Sequence, residues 1–314
     1  MSPIDLGFEI CDAHHHLWDL DAVQYPWLLA PKGTQRFFGD PTKIQDNYLV
    51  DNFRVDIGEL PVTNSIHIQV GAALDQHMTE TAWVQSQIDK AYVTKTTLLP
   101  TAMVAYANLE SNNIEEILNE IELFQSVRGV RQIIGRSPEE DKDTGSNQLL
   151  FSKNWKNGLR ELERRSMSFD LQLIPSQMDK AFELFSEFNE LPVALCHAGS
   201  PWFLNKRYQS SQSMSLWKEG LYRLASLPNV SCKISGLSMF NREWSHQDIK
   251  LITETVLDAF GSERCMFGSN FPVDKLHTRY QDIWLTYLDL THHLPHGQKC
   301  QIFGTNCLDF YRIS

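Results

Sequence analysis

Eight short runs of apolar, β-favouring residues recur along the chain, and most are separated from the next by a stretch with helical spacing. The runs are FEICDAH (8–14), SIHIQVG (65–71), LLPTAMVAYA (98–107), VRGVRQII (127–134), SFDLQLI (168–174), PVALCHA (192–198), NVSCKISG (229–236) and RCMFGSN (264–270). Amphipathic segments lie at 79–92, 113–124, 154–165, 177–190, 216–227 and 245–260, with two more at 280–290 and 300–312. Strands that are apolar on both faces belong to a sheet covered on both faces. Their alternation with helices predicts parallel pairing, and eight such units in 314 residues predict one α/β domain, a single (β/α)8 TIM barrel spanning residues 1–314.

Composition narrows the partners. A formal charge of −11 opposes a nucleic-acid backbone or an anionic membrane surface. No stretch approaches the roughly 18 consecutive apolar residues of a membrane span. The opening MSPIDLGFEICDAH has no basic region followed by an apolar one, so a secretory leader is not expected. The six cysteines form no C-x-x-C pair and read as reduced, structural thiols. These features describe a cytoplasmic protein that acts on a small molecule, with a homo-oligomer left open.

Two connections are long. One runs from Trp18 to about Asp51 after the first strand, the other from Gly199 to Ser215 after the sixth. Both leave the C-terminal ends of strands, where barrel active sites are built. Trp18, Tyr25, Trp27, Phe37, Phe38 and Trp202 lie in them and would either wall a small ring or anchor the loops.

The polar residues at strand ends are the candidate chemistry. EICDAHHHLWD carries three successive histidines at the end of the first run. Because strand side chains alternate, His14 and His16 share one face with Asp12, while His15 points away. Two imidazoles in a barrel mouth can grip a divalent cation, and Asp12 could orient one of them. His197 ends the sixth run, either as a satisfied core histidine or as a ligand or general base. Gln69, Arg131 and Lys233 lie in the second, fourth and seventh runs. The two cations there call for an anionic substrate or for a buried carboxylate partner. THHLPHG (291–297) reads as surface loop.

DAHHHLWD, RGVRQ, FDLQL, LCHAGSP, NVSCKISGL and RCMFGSNFPV follow one another along the chain. In their order and strand positions they resemble the lactonase branch of the amidohydrolase superfamily, barrel hydrolases that open sugar lactones, muconolactone-like rings and pyrone dicarboxylates. The resemblance covers about Glu9 to Tyr311. It implies that His14, His16 and His197 bind one zinc ion or, in metal-free members, the substrate. It makes Arg131 a candidate for a substrate carboxylate or carbonyl oxygen.

The family pattern at strand eight is G-S-D-x-P, whose aspartate activates water; here the stretch is GSNFP. An amide cannot accept the proton of an attacking water, so Asn270 can only orient by hydrogen bonds. His197, Asp274 or a metal-bound hydroxide would have to act instead. The expected function is hydrolysis of a small anionic or polyhydroxylated lactone. Catalysis is expected from His14, His16, His197, Asn270 and Asp274, and substrate contacts from Trp18, Trp27, Gln69, Arg131, Lys233 and Trp202. The alternatives are a metal-dependent decarboxylase of the same fold and a non-catalytic binding homologue that has lost the base.

Overall fold

The computed structural model describes residues 4–96, 99–140 and 146–313. Eight strands pair in parallel in strict chain order. They are β1 (Ile10–His15), β2 (Val62–Ile68), β3 (Ala102–Ala105), β4 (Val127–Val130), β5 (Ser168–Leu171), β6 (Val193–Leu195), β7 (Val230–Ile234) and β8 (Cys265–Phe267). One outer helix follows each strand: α1 (Val50–Ile57), α2 (His77–Thr94), α3 (Ile114–Ile121), α4 (Lys153–Arg164), α5 (Met178–Phe185), α6 (Ser211–Ala225), α7 (His246–Phe260) and α8 (Tyr280–Leu290). Two short helices, α9 (His296–Cys300) and α10 (Asn306–Phe310), flank a π turn at Gln301–Thr305.

The expected segments are present, with shifted limits. The third run was read from Leu98, which lies outside the described residues, and pairs from Ala102. Helix α1 lies at the end of what the sequence presents as one long connection. Only Phe53 and Ile57 are buried on its eight residues, too few to mark a helical stripe. The segment 300–312 is broken by the π turn. Among the described residues no helix is long and apolar enough to cross a membrane.

Two apolar clusters follow from the alternation of strand side chains. Outward residues such as Ile10, Phe169, Leu171, Cys232 and Phe267 pack against the helices. Inward residues, among them Cys11, Ala13, Ile66, Val104, Ala194 and Met266, fill the lower barrel, where Cys307 of α10 and the adjoining Tyr311 close the floor.

The seam between β1 and β8 is joined above the end of β8. Asn270 N donates to the His14 carbonyl and His16 N to the Phe271 carbonyl, each at 2.7 Å. The backbone that closes the barrel is therefore the backbone that presents the candidate site.

Candidate active site

The histidines on β1 reach the barrel mouth through a bulge. Asp12 pairs with Ser65 and His15 with His67, so three steps on β1 match two on β2. The extra residue lets both Ala13 and His14 face inward. His15 turns outward and stacks on Phe53 of α1, ring centres 4.1 Å apart. Asp12 also turns outward, which corrects the expectation that it shares a face with His14. Its carboxylate accepts from Ser269 N at 2.9 Å, His14 N at 3.1 Å and the Tyr280 hydroxyl at 3.0 Å. It stitches the seam to α8 and orients no imidazole.

His14, His16 and His197 come together, with ring centres 5.1 Å apart for His14–His16 and 4.5 Å for His14–His197. Burial, joined by the nearby cations, holds all three well below the usual histidine range, His16 at about 3. They are neutral imidazoles at working pH. His16 Nδ1 donates to the Ile68 carbonyl at 2.7 Å, and its Nε2 lies 3.3 Å from Asn270 Oδ1. His197 Nδ1 lies 3.0 Å from Ser235 Oγ. Both nitrogens of His14 are buried without a partner.

Two non-glycine residues of this cluster sit in left-handed backbone, His197 at φ 53° and Asn270 at φ 56°. Such conformations are costly and persist where surrounding contacts impose them. Gly236 makes the room. A Cβ there would lie 2.6 Å from His197 Nδ1 and 3.1 Å from Asn270 Nδ2.

Asp274 stands behind Asn270, outside the cavity lining. Asn270 Nδ2 donates to Asp274 Oδ1 at 2.8 Å, which turns the amide oxygen towards His16. Burial pushes the Asp274 carboxyl up to about 7, so it exchanges a proton near neutrality.

The cavity at the mouth holds about 380 Å³. His16, His197, Asn270, Arg131 and Trp27 of the expected residues line it. Arg131 is 4% exposed, and its Nη1 donates to Gln172 Oε1 at 3.1 Å and its Nη2 to the Gln69 carbonyl. Its Nε is buried without a partner, and no ion pair joins it to a described carboxylate.

Four expected substrate contacts lie elsewhere. Lys233 is fully buried and donates to Asp170 Oδ2 at 2.6 Å, while Tyr311 donates to Oδ1 at 2.7 Å. Its charge is met inside the barrel, beneath the cavity. Gln69 is turned to the backbone, accepting from Gly71 N at 2.7 Å. Trp18 is buried behind Trp27, with its indole N–H on the Asp46 carbonyl at 2.8 Å. Trp202 packs behind Phe37, centres 5.7 Å apart. The loop from Gly199 to Ser215 therefore buttresses the loop after β1 and does not wall the cavity.

In exchange the cavity is lined by Arg36, Phe37 and Phe38 of the first loop, Gly71 after β2, and Arg136 after β4. Arg36 stands in QRFFGD, a cation beside two exposed-looking aromatics, which was the available signal. The lining holds three arginines and no carboxylate, in a chain of net charge −11.

A second donor set for a metal lies beside the expected histidines. Among the described residues, His14, Asp170 and Cys196 bring one donor atom each to within 4.8 Å of one another. His16 and His197 turn Nδ1 to the Ile68 carbonyl and to Ser235, which leaves Nε2 of each as the atom a metal would take. Imidazole, carboxylate and thiolate are zinc ligands, and the unpartnered imidazole of His14 fits that use. Burial holds the Cys196 thiol up at about 12, so a metal would have to displace its proton.

Relatives agree with this barrel. A protein of Sinorhizobium fredii called uncharacterized protein y4mH is 34% identical over 309 residues, covering 97% of this chain and 98% of its own. An L-fucono-1,5-lactonase of Burkholderia multivorans is 25% identical over 280 residues, 87% of this chain and 85% of its own. A crystal structure of a Burkholderia multivorans amidohydrolase with bound zinc superposes with a TM-score of 0.78 at 22% identity, covering 98% of this chain and all of that one. Residues 11–313 match the Amidohydrolase family, and the chain belongs to that family.

Proposed function

We propose that this protein opens a small, negatively charged lactone by attack of water on the ring carbonyl. One observation carries the reading. Arg131 is a buried guanidinium on the cavity wall, beside two neutral imidazoles; Asp170 and Glu80 act on its charge from further off, but it forms no direct ion pair with a described carboxylate. A buried charge left unpaired is expensive, and an oxyanion or carboxylate from the ligand would relieve it. The lactonase named among the relatives is consistent with this chemistry.

In this mechanism the lactone lies in the cavity against the edge-to-face pair of Trp27 and Phe38, with its carbonyl oxygen towards Arg131. Water adds to the carbonyl carbon, and the negative charge that develops on the oxygen is held by preorganised N–H donors. His197, kept neutral by burial, takes the water proton at Nε2 while Nδ1 is steadied by Ser235. The bond from the carbonyl carbon to the ring oxygen breaks, and the proton passes to the departing alkoxide. The product is a hydroxy acid, which ionises. His16 and Asn270 orient the water or the ring, with Asp274 fixing the amide. A zinc ion held at the unpartnered imidazole of His14 with Nε2 of His16 and His197 would add Lewis acidity and acidify a bound water.

Hydrolysis in ¹⁸O-water tests the bond changes. Attack at the carbonyl places one ¹⁸O in the product carboxylate and none in the new hydroxyl. Release of carbon dioxide without incorporation would support a decarboxylase instead.

A further inference from the structure

The connection between β1 and α1 is built as a lid. Its base is tied where Trp18 and Tyr48 exchange backbone hydrogen bonds of 3.0 and 2.9 Å. Its tip is a tight hairpin, with Arg36 N donating to the Gly39 carbonyl at 2.9 Å and Gly39 N returning to the Arg36 carbonyl at 3.0 Å. Gly39 takes a φ of +123°, and a Cβ there would meet the His277 ring at 3.4 Å. The tip carries Arg36, Phe37 and Phe38 over the cavity.

Two polar clasps hold the tip. His277 Nε2 donates to the Phe38 carbonyl at 2.7 Å. Glu140, after β4, accepts from Arg36 Nη2 at 3.2 Å and from Phe37 N at 3.4 Å. The side chains of Arg36 and Glu140 are 28% and 27% exposed, so water screens the ion pair and it is weak. Arg36 Nε is nevertheless buried and has no partner. The guanidinium is thus held from one side by a loosely bound carboxylate and left unsatisfied at Nε.

We propose that Arg36 is a specificity-determining residue through which the lid reads a carboxylate on the substrate ring, exchanging Glu140 for it. Arg131 then faces the reacting carbonyl while Arg36 faces the acid group, so the two guanidiniums divide the substrate between them. Glu140 keeps the arginine in place without a ligand and retains the Phe37 amide when it lets go. A ring without a carboxylate leaves Arg36 on Glu140. This assignment deepens the lactonase reading but is tested without relying on it.

The test is calorimetric binding of D-glucarate, a dicarboxylate, and D-gluconate, a monocarboxylate, to the full chain and two variants. Kinetics on glucaro-1,4-lactone and glucono-1,5-lactone run alongside. Arg36→Gln is expected to lower the glucarate-to-gluconate affinity ratio by about 10- to 100-fold, as loss of a charge-assisted hydrogen bond would. The preference between the two lactones in kcat/KM should fall with it. Glu140→Gln, which removes the competing charge, is expected to tighten glucarate by roughly 3- to 10-fold. If Arg36→Gln leaves the ratio unchanged, or Glu140→Gln weakens glucarate, the proposal is overturned. Wild-type protein that binds glucarate through Arg36 yet opens no lactone would refute hydrolysis alone. Protein that opens both lactones, with equal losses on both in Arg36→Gln, would refute the role of Arg36 alone. Absence of glucarate binding by wild-type protein would overturn the role of Arg36.

Discussion

Asn270 stands within 2.8 Å of the Asp274 carboxylate, so its amide is the residue type that this position accommodates. A carboxylate there would face a second buried carboxylate, and two such groups share a proton before both ionise. The variant Asn270→Asp is therefore expected to lower kcat by about 10-fold, the scale of one lost orienting hydrogen bond. Steady-state kinetics on any lactone that is turned over measures this. A gain in activity would instead mark a binding protein that has lost its base. Lys233 gives a second case. Its ammonium lies on Asp170, with Tyr311 on the other oxygen. Lys233→Met leaves a buried carboxylate without its cation and should cost about 3–5 kcal/mol in urea unfolding. A variant of unchanged stability and raised KM would return Lys233 to the substrate.

At the scale of elements, strand ends fix the site and loops shape it. The mouth positions of His14, His16 and His197 were legible because two-residue alternation and the C-terminal ends of barrel strands are sequence-local properties. The bulge on β1 was not legible, since it depends on register against β2, and it reversed the direction of Asp12. The same limit applies to the loops. Trp18, Trp27 and Trp202 are alike in sequence, yet one indole faces the cavity and two support it. Which is which depends on how the first and sixth loops pack on each other, through Trp202 and Phe37. QRFFGD marked Arg36 as a cation beside aromatics, but its partner was hidden for that reason: nothing near it in the chain announces Glu140, 104 residues away.

For the whole molecule, the barrel separates two electrostatic tasks. The interior pair of Asp170 and Lys233 neutralises itself below the site, while the cavity collects Arg36, Arg131 and Arg136 without a lining carboxylate. On the proposed reading, that contrast inside a chain of net charge −11 would draw an anionic substrate to the cavity. The fold class was readable from eight alternating units, but the direction of two cations was not, because burial and pairing are properties of the folded chain. Lys233 and Arg131 looked equivalent in their strands; one meets Asp170 in an ion pair, and the other forms none among the described residues and is assigned to the ligand by the proposal. The central claim is that Arg131 serves a lactone carbonyl attacked by water. The most direct measurement is acid release in a pH-stat from aldono-lactones and muconolactones, with wild-type protein and Arg131→Met, each with and without added zinc. The account predicts stoichiometric acid from at least one carboxylated lactone and a loss of about 100-fold or more in Arg131→Met. No acid from any lactone under either condition, or equal rates in the two proteins, would contradict it.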